Sequence, residues 1–373
     1  MGKTLLHTPE GVRDIYGIEY AKKLYIENKL HEKIKSYGYE DIQTPSFEFF
    51  DVFSKEIGTT PSKELYKFFD QEGNTLVLRP DFTPSIARCA AKYFMEEQIP
   101  IRFSYNGNTF SNTSSLQGKL KEVTQMGAEL INAPSVEADA EIISLVIEAL
   151  RNTGLTRFQI SIGEVDYFKG ICEEAGLDEE TELELRSCIS GRNYFAAQEL
   201  LAARQVKEPY HSILLKLADM VETRESLSEA KKLVKNERSL NAIERLEKLY
   251  EVLRLYGVEE YVSFDLGLLS NYNYYTGVIF KAYTYGVGNA IVKGGRYDNL
   301  LNQFGKEASA IGFVIVVDDL LEALSRQKVT IELSNQKQTL LYQENDPVDF
   351  AAKLEQAKEL RAKGIAVELI PAK

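Results

Sequence analysis

Cysteine and histidine are scarce: the 373-residue chain has three of each. Cys89, Cys172 and Cys188 are odd in number, far apart and without CxxC spacing, and His7, His31 and His211 do not cluster. Metal frameworks need thiolates and imidazoles at short spacing, so the sequence predicts neither a metal centre nor a disulfide scaffold, and its cysteine usage suits a reducing cytoplasm. Also missing is any apolar run near the ~20 residues a membrane-spanning helix requires. The opening stretch MGKTLLHTPEGVRD is broken by Pro9 and Gly11 before a signal-peptide core develops, so neither membrane nor export is expected. Positive charge is in deficit, with 44 Lys+Arg against 56 Asp+Glu and a net charge of −12. Polyanion affinity comes mainly from Lys and Arg neutralising phosphates, so tRNA and other nucleic acids are not expected partners unless basic residues are locally concentrated. The Walker-type phosphate loop, the GxSxG nucleophile elbow and the HExxH zincin motif are absent as well, which leaves three common catalytic chemistries without support.

What is present is a soluble globular mixture, 44% hydrophobic and 27% charged, long enough for two or three domains. Helical spacing of Leu24, Leu30 and Ile34, closed by Gly38, predicts a helix over Tyr20–Tyr37, followed by a strand over Tyr39–Thr44. Tyr66–Phe69 and Thr75–Arg79 read as a hairpin around the turn Asp70-Gln71-Glu72-Gly73-Asn74. Further strands are expected at Ile101–Tyr105, Val123–Leu130 and Phe158–Ile162, with a helix over Val136–Leu150. From about residue 169 to 256 Leu, Glu, Lys and Ala dominate and alternation disappears, predicting a helical insertion. Strands resume at Val262–Leu266, Gly277–Tyr283 and Asn289–Lys293, and a single apolar stretch follows over Ala310–Leu324. This order predicts an α+β core over residues 1–324, built on a mainly antiparallel sheet flanked by helices. Residues 325–338 read as a linker, and residues 339–373 as a short, partial C-terminal α/β unit of strand, helix and strand.

Four segments gather polar groups at strand ends. In Leu78-Arg79-Pro80-Asp81-Phe82-Thr83-Pro84, Asp81 could accept from a ligand ammonium, although Asp81 or Thr83 would equally serve as a helix cap. Gln125 and Glu129 are an even number of residues apart on a strand, so both face one side, either toward a ligand amine and ring N–H or toward solvent. Asn271-Tyr272-Asn273-Tyr274-Tyr275-Thr276-Gly277 offers aromatic rings with polar tips, suited to a flat ligand slot or to ordinary packing. Gly294-Gly295-Arg296-Tyr297-Asp298 is expected to join a strand to a helix, as an anion-binding terminus or as a structural turn.

Together and in this order, these segments resemble the catalytic core of the histidyl-tRNA synthetases, a class II aminoacyl-tRNA synthetase fold, over about Thr8 to Leu324. GYEDIQTPSFE is similar to motif 1, the dimer-forming segment. LRPDFT resembles that family's LRPEGT, and FSYNGNTF through QMGAEL keeps the spacing of motif 2. NYNYYTGVIF resembles the histidine-specific LDYYTGxVFE segment, and GGRYDNL with ASAIGFVIVVDDLL resembles the approach to motif 3. Three departures stand out. The motif 2 arginine is Ser111, the arginine before the histidine-specific tyrosines is Ser270, and the motif 3 arginine is Asp319. Those cations stabilise charge during adenylation, where one lost donor costs roughly 100-fold or more. The positions that the resemblance assigns to histidine recognition persist: Asp81, Thr83, Gln125, Glu129, Tyr274 and Tyr275. Such a pattern resembles the regulatory subunits of ATP phosphoribosyltransferase. The resemblance implies a non-catalytic chain without a cofactor, with L-histidine as regulatory ligand and the short-form catalytic subunit as partner. It also implies self-association as a dimer within a hetero-octamer, and a role in feedback inhibition at the first step of histidine biosynthesis. The competing expectations are an active histidyl-tRNA synthetase, or a histidine-binding scaffold with another partner.

Overall fold

A computed structural model of the chain describes residues 6–53, 60–113, 120–217, 224–270, 275–333 and 337–372. These fall into two compact units, Met1–Val329 and Thr330–Lys373. The first opens with helix α1 (Gly17–Ser36), which buries Ile26, Leu30 and Ile34 on one side and ends where Gly38 turns left-handed at φ +80°. Strands β1 (Glu40–Asp41), β2 (Phe47–Phe49), β3 (Lys67–Phe69) and β4 (Thr75–Leu78) follow. β3 and β4 are the expected hairpin: Asp70 Oδ1 accepts the Asn74 N–H at 2.8 Å, and Gly73 takes φ +86°. With β2 they form a small three-stranded sheet in the order β2-β4-β3.

Helix α2 (Thr83–Tyr93) leads into the long strands β5 (Ile101–Phe110) and β6 (Glu122–Ile131). Helix α3 (Val136–Asn152) is apolar almost all round, with Ile142, Ile143, Leu145, Val146, Ile147 and Leu150 all buried. It packs against α1 and the sheet, and Ser135 caps it by accepting the Ala138 N–H. After β7 (Phe158–Glu164) come α4 (Val165–Glu174), α5 (Glu179–Ser190), α6 (Tyr194–Ala203), α7 (Tyr210–Leu217), α8 (Arg224–Leu233) and α9 (Glu237–Tyr256). Polar side chains start these helices: Asp178 caps α5, Asn193 caps α6 and Asn236 caps α9. Gly257, left-handed at φ +67°, ends α9. Strands β8 (Val262–Phe264), β9 (Val278–Thr284), β10 (Val292–Arg296) and β11 (Ala310–Val316) complete the main sheet, and α10 (Val317–Arg326) closes the unit. The single apolar stretch read over Ala310–Leu324 thus divides into a strand and a helix.

The main sheet has the order β1-β5-β6-β11-β10-β9-β7-β8. Its pairings are antiparallel except at the two edges, β1 with β5 and β7 with β8, as the mainly antiparallel α+β expectation required. In the second unit β12 (Lys337–Tyr342) and β13 (Ala366–Pro371) pair in parallel, joined by α11 (Pro347–Ala362).

A buried carboxylate fastens three elements of the first unit. Asp139 of α3, wholly buried, accepts from Arg245 Nε of α9 at 2.9 Å and from Arg296 Nε of β10 at 3.0 Å. Arg296 also donates to the Ala133 carbonyl at 3.0 Å, so its buried charge is well solvated by protein. Removing the carboxylate leaves two guanidinium groups without their shared counter-charge. Asp139→Ala is therefore expected to cost about 3–5 kcal/mol, read as a lower denaturant midpoint; a loss under about 1 kcal/mol would show that the triad does not fasten these elements.

Candidate functional site

Three glycines, Gly127, Gly295 and Gly312, fall on one face of the main sheet and leave bare backbone between its side chains. The register places Glu129, Gly312, Gly295 and Ile279 side by side across β6, β11, β10 and β9, with Gly127, Val314, Lys293 and Lys281 in the next row. Directly opposed residues in an antiparallel sheet share a face, so these two rows make a floor. Over it lies a cavity of about 500 Å³. A Cβ on Gly312 would overlap Glu129 Oε2, and one on Gly295 would stand 2.7 Å from the Tyr275 ring. One on Gly127 would be 2.5 Å from the Tyr105 hydroxyl. Each glycine therefore makes room for one side chain of the site.

Glu129 lies at the centre, 1% exposed. Thr83 Oγ1 donates to its Oε1 at 2.7 Å, and the Tyr297 hydroxyl donates to its Oε2. Burial pushes its carboxyl up from the ordinary 4.5 to about 8, opposed by those two hydrogen bonds and assisted by the nearby Asp81 charge. Thr83 is the first residue of α2, yet the helix has no side-chain cap. The capping role that the sequence left open for Thr83 is not the one the structure uses, because Thr83 spends its hydroxyl on Glu129. Beneath, the Arg79 guanidinium stacks 4.0 Å above the Phe82 ring, which stacks 4.4 Å from Tyr105. Arg79 donates to the Thr44 and Asn108 carbonyls, both at 2.9 Å, which makes it a structural clamp between β5 and the segment before β2.

Asp81, Thr83, Gln125, Glu129 and Tyr275 all line the cavity. Gln125 and Glu129 do share a face, and the burial of Glu129 removes the solvated alternative for it. The buried Gln125 Oε1 accepts no hydrogen bond among the described residues and is thus an open acceptor. Tyr274 lies outside the described residues, as do Asn271, Tyr272 and Asn273. Ser270 lines the cavity, whereas Ser111 and Asp319 do not. Ser111 sits at the end of β5 with its N–H on the Lys121 carbonyl at 2.8 Å, and Asp319 occupies the first turn of α10.

One expectation is corrected. Gly294 and Gly295 do not join a strand to a helix; both lie inside β10, followed by a turn and a short 3-10 stretch, Leu301–Phe304. They belong to no anion-binding terminus and no turn: a Cβ on Gly294 would meet the Phe280 ring, and Gly295 underlies Tyr275. The sequence named Tyr297 only within the segment read as an anion-binding terminus or turn, not as a partner of Glu129, and did not reveal Ser187, Ser190 and Gly191 at the end of α5, which form one wall of the cavity. Ser190 Oγ donates to the Leu269 carbonyl at 3.1 Å, tying that wall to the segment before the tyrosines. Isolated glycines inside the strands, Gly127 and Gly312, were the available signal. Among the described residues no cluster of His, Cys, Asp and Glu is arranged to hold a metal, and no helix is long and apolar enough to cross a membrane.

A family model described as histidyl-tRNA synthetase matches residues 11–320. The ATP phosphoribosyltransferase regulatory subunit of Acetivibrio thermocellus is 39% identical over 369 residues, covering 99% of this chain and 88% of that one. Its counterpart in Thermoanaerobacter pseudethanolicus is 37% identical over 365 residues, 98% of this chain and 94% of that one. A crystal structure described as an ATP phosphoribosyltransferase regulatory subunit/histidyl-tRNA synthetase from Bacillus halodurans superposes with a TM-score of 0.89 at 34% identity, covering 99% and 94% of the two chains. Histidyl-tRNA synthetase from Nostoc sp. PCC 7120 shares the fold, with a TM-score of 0.83 at 19% identity. Fold and cavity thus define a class II core of the histidyl-tRNA synthetase type. Within that class the chain belongs to the ATP phosphoribosyltransferase regulatory subunit family.

The raised pKa of Glu129 has a definite sign in stability. In the unfolded chain the carboxyl ionises near 4.5, in the folded one near 8. Its contribution is whole below the unfolded value and is lost as pH rises through about 8. Glu164, buried at the end of β7 and pushed up to about 8 by burial and by Asp166, acts with the same sign. The urea midpoint is expected to fall between about pH 5 and pH 8, and to fall less in Glu129→Gln; equal slopes in both proteins would refute the assignment. Gly312→Ala should cost about 1–3 kcal/mol by displacing the Glu129 carboxyl, measured by thermal unfolding.

Proposed function

We propose that the chain is a non-catalytic partner of the short-form ATP phosphoribosyltransferase catalytic subunit, needed for its activity, and that L-histidine bound in the cavity over β6 and β11 takes part in feedback inhibition. The observation that carries this reading is a cavity lined by Asp81, Thr83, Gln125, Glu129 and Tyr275 whose one position matching a synthetase arginine, Ser270, is a serine. With Ser111 and Asp319 at the other two such positions, the three arginines that stabilise the developing charge of adenylation in the synthetases are all replaced. The same residues can hold an amino acid. Asp81, Thr83 and Gln125 would face its ammonium, Glu129 a ring N–H, and Tyr274 and Tyr275 the imidazole. A regulatory ligand acts only through different affinity for the active and inhibited assemblies, so the histidine contacts must differ between them. Self-association as a dimer inside a hetero-octamer is part of the proposal. The exposed Phe47, Phe49 and Phe69 of the small sheet, beside the segment resembling motif 1, support a protein contact there.

Activity of the short catalytic subunit is expected to rise on adding this chain and to fall again with L-histidine. A catalytic subunit that neither binds the chain nor gains activity from it would overturn the regulatory reading. With ATP and histidine, the purified chain should give no pyrophosphate exchange. In the assembled complex, Glu129→Ala and Tyr275→Ala should each weaken histidine binding by about tenfold or more in calorimetry, and unchanged affinity would remove histidine from this cavity.

A further inference from the structure

Two lysines of the cavity have no part in the contacts described above. Lys281 of β9 and Lys293 of β10 are direct cross-strand partners, and both line the cavity, Lys281 partly buried and Lys293 exposed at its mouth. Like charges placed opposite each other on one sheet face repel. Burial and the Lys293 charge lower the pKa of Lys281, as such a pair should. Asp265, which faces Lys281, is paired with Arg192 and accepts the Gly267 N–H at 3.0 Å. Asp319, which faces Lys293, is itself discouraged from ionising by burial and by Glu322 and Asp318. The opposite end of the cavity carries Asp81, Gln125 and Glu129. β10 lies two strands from β6 in the sheet order, and neighbouring strands are ~4.8 Å apart, which separates the two ends by roughly 10 Å before the side chains reach inward. One cavity therefore has an acceptor end and a cationic end, with a space between them on the scale of a small zwitterion.

We propose that Lys281 and Lys293 form an oxyanion subsite of this cavity, which takes the carboxylate of an amino acid whose amino and ring groups face Asp81, Gln125 and Glu129. This rests on the histidine reading of the cavity and supplies the carboxylate partner that serines at 111 and 270 do not. A phosphate group has the same chemistry, and the test separates the two.

Calorimetry on the full chain would use three probes: L-histidine, L-histidinol, which keeps the amine and imidazole but has an alcohol in place of the carboxylate, and inorganic phosphate. In K281Q/K293Q, L-histidine affinity is expected to fall by about tenfold or more, with histidinol affinity unchanged. K281R/K293R should keep the L-histidine affinity, and unliganded K281Q should melt no lower than wild type, since it removes a repulsion. Unchanged L-histidine affinity in K281Q/K293Q, or equal losses for both amines, would overturn the subsite alone. Phosphate binding lost in K281Q/K293Q with L-histidine affinity intact would overturn the carboxylate assignment in favour of phosphate. A wild-type chain that binds neither amine would overturn the histidine reading, and this subsite with it.

Discussion

The Glu129 carboxyl, held over Gly312 by hydroxyls from Thr83 and Tyr297, is the contact on which the rest of the site depends. It draws together the start of α2, the middle of β6 and the residue after β10, three segments far apart in sequence. A buried carboxylate carries a large desolvation cost, which two hydroxyl donors reduce without removing it, so the pKa stays raised. The group is thus ready to ionise when a cation or an N–H donor arrives, and binding such a ligand would release a proton near neutral pH. That behaviour suits a recognition site better than a structural one, because a purely structural role is filled at lower cost by an apolar residue.

The floor of the site follows from the same constraint. A side chain laid flat on a sheet needs bare backbone beneath it, and Gly127, Gly295 and Gly312 provide it under Tyr105, Tyr275 and Glu129. These glycines weaken the strands that contain them. Stability is recovered on the opposite face, where Met126, Ala128, Leu130, Phe313 and Ile315 are all buried. The sheet is therefore two-sided in a functional sense, with packing on one face and recognition on the other.

Most of the secondary structure was legible in the sequence because local pattern decided it. The helix over Val136–Leu150, the hairpin around Gly73 and the strands at β6, β7 and β9 appear within a few residues of their expected limits, whereas β5 runs on to Phe110, twice its expected length. Where the sequence misled, tertiary context was the reason. Gly294-Gly295 has the composition of a turn, and only the register with β9 and β11 shows why a strand would tolerate two glycines. The apolar run from Ala310 to Leu324 hid a change of period, since both a buried strand and a buried helix read as continuous hydrophobicity. In the site, the resemblance supplied the residues, while the bottom-up pattern gave only their faces. The end of α5 was invisible because nothing in local sequence reports that a helix from a distant segment will wall a cavity, and the bond of Tyr297 to Glu129 went unread because it joins positions 168 residues apart.

That wall gives the helical segment a role that packing alone would not. Ser187, Ser190 and Gly191 border the same space as Glu129, and Arg192 just beyond them pairs with Asp265. On the far side of the sheet, Arg245 of α9 and Arg296 of β10 share the carboxylate of Asp139. Arg296 is flanked in sequence by Gly295 and Tyr297, which underlie Tyr275 and hold Glu129. The cavity and the helices are therefore joined twice, directly through the wall and indirectly through one buried carboxylate. A ligand that spans floor and wall has its affinity set by how these parts sit together, and by reciprocity its binding biases that arrangement by the same free energy. Spatial connection alone is not coupling. What the structure adds is a short physical route of two ion pairs and a shared cavity, along which such coupling could be measured.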